Sequence, residues 1–285
     1  MINILVTGGN GQLAKCFSDI ESKIANLNVT YTDYLELDIT NSDEVQAYFG
    51  EKNFDYCINC AAYTAVDKAE SDEVAATRAN EIGPKNLATT CQKNKVVLIH
   101  VSTDFVFDGN TSIAYKEDHL PNPMGVYGQT KLKGEQAIIE HLEQHFIIRT
   151  AWLYSEYGNN FLKTMIQLSN DRNDLSVVVD QIGTPTYASD LASTIIRFIN
   201  SKNNQYGLYH YSNEGVASWY DFAKAIFDER QSDINLTPIK SESYPTPAKR
   251  PHFSVLDKSK IKSCLNIEIP YWRDSLKKAL NNYNE

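Results

Sequence analysis

Short apolar runs alternate with helical stretches through the first 150 residues. Runs at 2–6, 29–32, 56–60, 96–101 and 146–148 have strand length, and 12–25, 42–49, 69–94 and 125–142 between them carry helix-compatible spacing. Asn41-Ser42-Asp43-Glu44 marks one helix start with a capping amide and first-turn acids. This alternation predicts an α/β fold: a doubly wound parallel sheet with helices on both faces and a ligand beyond the carboxyl ends of its strands. The second half is less regular. Helices are expected at 161–168, 190–198, 219–228 and 271–280, strands at 175–179 and 208–211, and a Pro-punctuated loop with two cations at 244–251. Residues 1–150, with part of 180–200 returning to them, are expected to form one domain. Residues 151–285 mainly form a smaller, partly interleaved substrate domain.

The net charge of −9 argues against nucleic acid or an anionic membrane as partner, yet leaves room for an anionic small molecule held by a few placed cations. No apolar run reaches the ~18–20 residues of a transmembrane helix. The N-terminus reads as a strand and not as a signal peptide, so a cytoplasmic protein is expected. The cysteine count is odd. Cys57-Ile58-Asn59-Cys60 lies in a strand, whose alternation sends the two thiols to opposite faces as buried structural groups. His141 and His145 do not form H-E-x-x-H and read as a solvated helix end; no metal site is expected.

Gly8-Gly9-Asn10-Gly11 follows the first strand and opens a helix, the context of a Rossmann-like dinucleotide site. Glycines let the backbone approach a pyrophosphate, and the helix N-terminus adds free N–H groups. Asp33 ends the second strand, where an acid accepts hydrogen bonds from the adenosine ribose and repels a 2′-phosphate. The first arginine of the chain is Arg78, so no arginine is expected near that phosphate, which favours NADH. Asp38 and Ile39 are expected to flank the adenine. Ala61, Ala62 and Tyr63, after the third strand, suit close approach of the nicotinamide ribose and phosphates.

Tyr127 and Lys131 stand at i and i+4 on a helix, and Thr103 ends the fourth strand. A phenol titrates near ~10, and a neighbouring ammonium is expected to lower that value. Lys131 can also hold ribose hydroxyls, and Thr103 can bond a carbonyl oxygen. Hydride transfer to a carbonyl carbon, with Tyr127 protonating the oxygen, is the expected reaction.

Longer motifs narrow this reading. They are Gly8-Gly9-Asn10-Gly11-Gln12-Leu13, Ala61-Ala62-Tyr63-Thr64-Ala65-Val66-Asp67-Lys68-Ala69-Glu70, Ser102-Thr103-Asp104-Phe105-Val106-Phe107-Asp108-Gly109 and Val126-Tyr127-Gly128-Gln129-Thr130-Lys131. Arg149-Thr150-Ala151-Trp152-Leu153-Tyr154, Gly158-Asn159-Asn160-Phe161, Asp180-Gln181 with Pro185-Thr186, and Tyr244-Pro245-Thr246-Pro247 with Arg250-Pro251 follow. Over nearly its whole length the chain resembles the extended short-chain dehydrogenases/reductases, and within them the dTDP-4-dehydrorhamnose reductase family. The resemblance implies reduction of the C4 keto group of a dTDP-4-keto-6-deoxy sugar by NADH or NADPH. It puts the catalytic triad on Thr103, Tyr127 and Lys131, adds Gln12 and Leu13 to the cofactor contacts, and puts sugar contacts on Val66, Asp104, Phe105 and Trp152. Asn160 and Arg250 would meet the nucleotide diphosphate.

Some positions depart from the family pattern. Ala14 stands for a usual third glycine, and Phe105 for a frequent tyrosine. Some members dimerise through a metal held by acids near the first helix. Lys15 and Cys16 occupy that region here, so no such metal and a monomer or weak homodimer are expected. A dehydratase of the superfamily would carry Glu where Phe105 stands. The remaining alternatives are a reductase or epimerase for another 4-keto sugar nucleotide, or a non-catalytic relative of the methionine adenosyltransferase regulatory subunit.

Overall fold

The computed structural model describes residues 1–201 and 204–283. Its first half runs β1 (Ile2–Thr7), α1 (Gln12–Glu21), β2 (Leu27–Thr32), α2 (Ser42–Glu51), β3 (Tyr56–Asn59), α3 (Val66–Ala69), α4 (Glu73–Thr77), a π-helical turn (Arg78–Ile82), α5 (Gly83–Asn94), β4 (Val97–Thr103), α6 (Val126–His141) and β5 (His145–Thr150). The second half runs β6 (Leu153–Tyr154), α7 (Phe161–Asp171), β7 (Asp174–Val178), β8 (Ile182–Gly183), β9 (Thr186–Tyr187), α8 (Ala188–Ser201), β10 (Gly207–His210), β11 (Ala217–Ser218), α9 (Trp219–Arg230), β12 (Asn235–Ile239), α10 (Ser259–Leu265) and α11 (Trp272–Asn282).

Six strands form one parallel sheet in the order β10-β5-β4-β3-β1-β2. Strand alternation divides its side chains between two cores. Ile4, Val6 and Ile58 point to the face covered by α1 and α8, through Leu13, Phe17, Leu191 and Ile195. Leu5, Cys57 and Leu98 point to the face covered by α2, α5 and α6, through Val45, Phe49, Leu87 and Ile138. Burial on both faces is why these strands read as continuous apolar runs. Cys57 belongs to the second core and Cys60 packs against the first, the opposite-face arrangement the alternation predicts. Strand order reverses at β1, which pairs β2 on one side and β3 on the other and opens a crevice at their carboxyl ends.

The helix expected over 69–94 is broken. Pro84 has no N–H for the Asn80 carbonyl, and the backbone widens into the π turn just before it. The displaced Asn80 carbonyl lies against α6 at Gly134, where a Cβ would stand 2.1 Å away. The Asn80 side chain accepts from Tyr63 N–H (2.9 Å) and donates to the Tyr63 carbonyl (3.1 Å) and to Thr130 (3.2 Å). The break thus ties the loop after β3 to α6.

The second half has its own core of Tyr154, Leu162, Phe222, Ile226, Trp272 and Leu276. Around it lie the pairs β7–β12, β8–β11 and β6–β9. β12 was not foreseen, because Pro238 and its flanking polar residues obscure the alternation. α8 and β10 leave this body for the large sheet, so the chain crosses between the two cores more than once.

His145 corrects one expectation. It is buried at the start of β5, its Nδ1 2.6 Å from the Leu142 carbonyl, and is not part of a solvated helix end.

Candidate functional site

A cavity of about 1090 Å³ lies beyond the carboxyl ends of β1, β3 and β4. It is lined by Gly8, Asn10, Gly11, Gln12 and Leu13 of the first turn and by Asp33, Asp38 and Ile39 after β2 and beyond. Ala61, Ala62, Tyr63 and Val66 follow from the β3 side, and Thr103, Asp104, Phe105, Tyr127, Lys131, Trp152, Asn160 and Arg250 complete the set. Every residue expected at the site therefore borders one space.

The turn after β1 is built for close approach. Gly8 has φ +68°, and a Cβ there would stand 2.7 Å from the Ala61 nitrogen, so only glycine lets the β1 and β3 loops touch. No side chain caps α1, which leaves its N-terminus to an anion such as a diphosphate. Asp33 closes the other side: its carboxylate accepts from the backbone N–H of Asn10 (2.8 Å) and of Tyr34 (2.7 Å). Arg78 corrects the expectation that no arginine stands nearby. It is far along the chain, but the segment after β3 brings it back to the loop after β2. There it donates to Thr40 Oγ1 (2.9 Å), lies 3.9 Å from the Asp38 carboxylate and borders the cavity. This open glycine cradle, with a cation beside Asp38 and Thr40 on the same cavity wall, fits a dinucleotide, with or without a 2′-phosphate.

Tyr127 sits in the first turn of α6, its ring edge-on to Phe105 at 5.5 Å between centroids. Gly128 lets the helix close on the β4 loop, since a Cβ would stand 2.2 Å from the Phe105 oxygen. Glu70 anchors the helix start, accepting from Val126 N–H at 2.9 Å. Deeper in, Glu135 of α6 makes a buried ion pair with Arg149 of β5 (2.6 Å) and accepts from Ser102 of β4 (2.5 Å). These bonds fix α6 against the strands that carry Thr103.

The phenol corrects a further expectation. Burial pushes Tyr127 up to about 12, and the nearby Thr103 hydroxyl offsets this only in part. Lys131 does not lower it. Lys131 is 2 % exposed, and its Nζ donates to the Val101 carbonyl (2.7 Å) and lies 3.3 Å from His100 Nε2. Burial pulls the Lys131 amine down to about 8. A phenol held this high stays protonated at neutral pH, which is the state a proton donor needs.

Thr103 Oγ1 donates to Asp104 Oδ1 at 3.1 Å and accepts from Phe105 N–H. Asp104 Oδ2 is buried and lacks a well-formed hydrogen bond, and burial raises the carboxyl to about 6 although the Ser254 and Thr103 hydroxyls beside it offset this in part. An unpaired acceptor beside Thr103 suits a sugar hydroxyl. Trp152 adopts φ +48°, and its indole lies flat on Trp219 while Gly183 leaves room at its edge. Trp219 went unremarked in the sequence because a tryptophan opening a helix resembles an ordinary core residue.

Asn160 and Arg250 border the cavity but are already engaged. Asn160 caps α7, accepting from Lys163 N–H (3.2 Å), and its amide donates to the Ser155 and Tyr157 carbonyls. Arg250 pairs with Asp67 (2.7 and 3.0 Å) and holds that carboxyl below its usual range. A diphosphate reaching Arg250 would share the guanidinium with Asp67.

Residues 2–285 match the family described as the RmlD substrate binding domain. The dTDP-4-dehydrorhamnose reductase of Aggregatibacter actinomycetemcomitans is 41% identical, over 97% of this chain and 98% of its own. A solved structure of a dTDP-4-dehydrorhamnose reductase ortholog from Clostridium acetobutylicum superposes with a TM-score of 0.95 at 41% identity, covering 99% of each chain. One from Bacillus anthracis, in complex with NADP, gives 0.94 at 39% identity and covers 99% of this chain and 100% of that one.

Proposed function

The chain belongs to the RmlD substrate binding domain family, and we propose that it reduces the C4 keto group of dTDP-4-dehydro-L-rhamnose (dTDP-6-deoxy-L-lyxo-4-hexulose) to dTDP-L-rhamnose, using NADH or NADPH. One observation carries this reading. Thr103, Tyr127 and Lys131 line the same cavity as an open glycine cradle at a helix N-terminus.

The residues divide the work. Gly8, Asn10, Gly11, Gln12 and Leu13 would hold the diphosphate. Asp33, Asp38, Ile39 and Arg78 would surround the adenosine, and Ala61, Ala62, Tyr63 and Lys131 the nicotinamide ribose. When bound, the reduced nicotinamide supplies a hydride. Tyr127 donates its proton to the substrate oxygen as negative charge develops there, a contribution worth about 10²–10⁴-fold. Thr103 bonds the same oxygen and orients it. Asp104 accepts a sugar hydroxyl, Val66, Phe105 and Trp152 present apolar surface to the deoxy sugar, and Arg250 reaches toward the nucleotide diphosphate. Asn160 acts through the α7 start that it caps.

Residues 1–150 with α8 would carry the cofactor and most of 151–285 the sugar nucleotide. The reading includes a cytoplasmic enzyme working as a monomer or weak homodimer. Among the described residues no helix is long and apolar enough to cross a membrane.

The test is oxidation of NADH, and separately of NADPH, with the 4-keto sugar nucleotide generated in situ. Oxidation yielding dTDP-L-rhamnose is expected. Cofactor binding without oxidation would overturn the substrate assignment, and no binding of either dinucleotide would overturn the cofactor assignment.

A further inference from the structure

A buried polar chain runs from β1 to α6 behind the cavity: Thr7, Asn59, His100 and Lys131, none more than 2 % exposed. Its first links are unambiguous. Asn59 Oδ1 accepts from the Ala61 backbone N–H (3.1 Å) and from Thr7 Oγ1 (2.8 Å). A backbone N–H can only donate, so the amide oxygen is fixed on that side. The Asn59 NH₂ therefore faces His100 Nδ1 at 3.0 Å. An amide NH₂ can only donate, so Nδ1 must be the acceptor. His100 is fully buried, and burial alone favours the neutral imidazole, holding it well below the usual histidine range. A neutral imidazole that accepts at Nδ1 carries its proton on Nε2.

That N–H faces Lys131 Nζ at 3.3 Å. Two donors cannot satisfy each other, whereas an uncharged amine has a lone pair to accept. The lysine also donates to the Val101 carbonyl, which an amine can do at the same time. The other charged or titratable groups around Lys131 do not reverse this. Glu135, one turn along α6, favours the ammonium, but it is bonded to Arg149 and Ser102 and burial of the amine outweighs it. Cys60, from the β3 side, has its thiol pushed up to about 12 by burial and stays neutral. Tyr127, one turn before, is protonated.

We propose that His100, held as its Nε2–H tautomer by Asn59, is a positioning residue that favours the uncharged Lys131 amine in the cofactor-free protein, so that at alkaline pH Lys131 takes up a proton when the dinucleotide binds. The uptake belongs above about pH 8, where the buried amine is mostly uncharged before binding. The inference rests on the cofactor reading above and adds to it a source of protonation inside the wall of the site. Ribose hydroxyls and a nearby diphosphate supply the acceptors and negative charge that an ammonium requires. The amine then turns from His100 toward the cavity as a cation, next to the phenol that must be reprotonated after each turnover.

The experiment has two parts. Spectra of the cofactor-free protein with ¹⁵N-labelled histidine should show a buried histidine that is neutral and protonated on Nε2. An Nδ1–H form at His100 would overturn the inference. Dinucleotide binding is then measured by calorimetry in buffers of different ionisation enthalpy. Near pH 9 binding should take up close to one proton, falling about tenfold by pH 7 as free Lys131 becomes charged unaided. In His100→Gln, which offers Lys131 a carbonyl acceptor, uptake at pH 9 should fall several-fold while binding heat persists; an unchanged pH profile would overturn the inference. The wild-type measurements decide it even where the variant does not fold. Binding heat without proton uptake would overturn this inference alone, whereas no binding heat with either dinucleotide would overturn the cofactor reading as well.

Discussion

Trp152 and Trp219 lie face to face, their ring centroids 3.6 Å apart and their planes within 8°. Trp152 is at the end of the large sheet, just after β5, and Trp219 opens α9 of the second body. The stack therefore joins the half expected to carry the chemistry to the half expected to bind the nucleotide. It also holds Trp152 in a left-handed backbone conformation that is costly for a bulky residue. Trp219→Ala should free the Trp152 indole and weaken substrate capture. A loss of about 1 kcal/mol of stacking would raise KM several-fold. Dinucleotide affinity, measured by fluorescence or calorimetry, should not change; a parallel loss of both would show that the stack supports the whole fold and not the sugar pocket.

Tyr127→Phe removes the proposed proton donor and little else, because the ring keeps its edge-on contact with Phe105. Turnover should fall about 10²–10⁴-fold. Dinucleotide binding should persist. A variant that retains most of its rate would remove Tyr127 as the acid.

Asp33 and Arg78 are expected to pull cofactor choice in opposite directions. Asp33 is a negative charge at the end of β2, but both its oxygens also hold the turn, through Asn10 and Tyr34. Arg78 supplies a guanidinium to the same end of the cavity. Arg78→Ala should weaken NADPH more than NADH, by about 10-fold for the loss of one charge-assisted bond. Asp33→Ala should favour NADPH relative to NADH while weakening both, as the glycine turn loses its anchor. Dissociation constants for the two cofactors with each variant check this, and equal changes for both would mean that neither side chain meets the 2′ position.

Why some of this could be read from the chain and some could not follows from the range of the interactions. β1 was plain because Ile4, Leu5 and Val6 are buried on alternating faces of a two-sided sheet. Tyr127 and Lys131 were plain because a single helical turn relates them. The break in 69–94 had a local signal in Pro84, but the place taken by the freed Asn80 carbonyl, against α6 at Gly134, is a contact between segments 54 positions apart that no local period records. The two-residue strands β6, β8, β9 and β11 are too short to show alternation. Arg78 looked distant only because sequence order was taken for distance. Glu135, Arg149, Asn59 and His100 did leave a signal: polar or charged residues within segments that are otherwise core. Only their buried partners show what they hold. The direction of the Tyr127 shift was misread because helical spacing says where Lys131 starts, not where its amine ends.

Asp104 offers a pH test with a definite sign. Its carboxyl is raised to about 6 by burial, against an ordinary value of 3.8, with the Ser254 and Thr103 hydroxyls offsetting this only in part, and Oδ2 lacks a well-formed hydrogen bond. A carboxyl raised in the folded state costs stability when ionised. That cost is fully present above pH 6, where it amounts to about 3 kcal/mol for a shift of this size. It fades as pH falls through 6 toward 4 and the folded state takes up its proton first. Asp104→Asn keeps the shape without the charge. At pH 8 the substrate-free variant should melt a few degrees higher than the wild type, and this advantage should shrink steadily between pH 6 and pH 4. Its turnover should nevertheless drop, because an amide cannot fully replace a carboxylate as acceptor for a sugar hydroxyl. A stability gain paired with lost activity would mark Asp104 as a residue kept for binding at the expense of the fold. Equal melting temperatures at pH 8 would mean that solvent or neighbouring groups already satisfy its second oxygen.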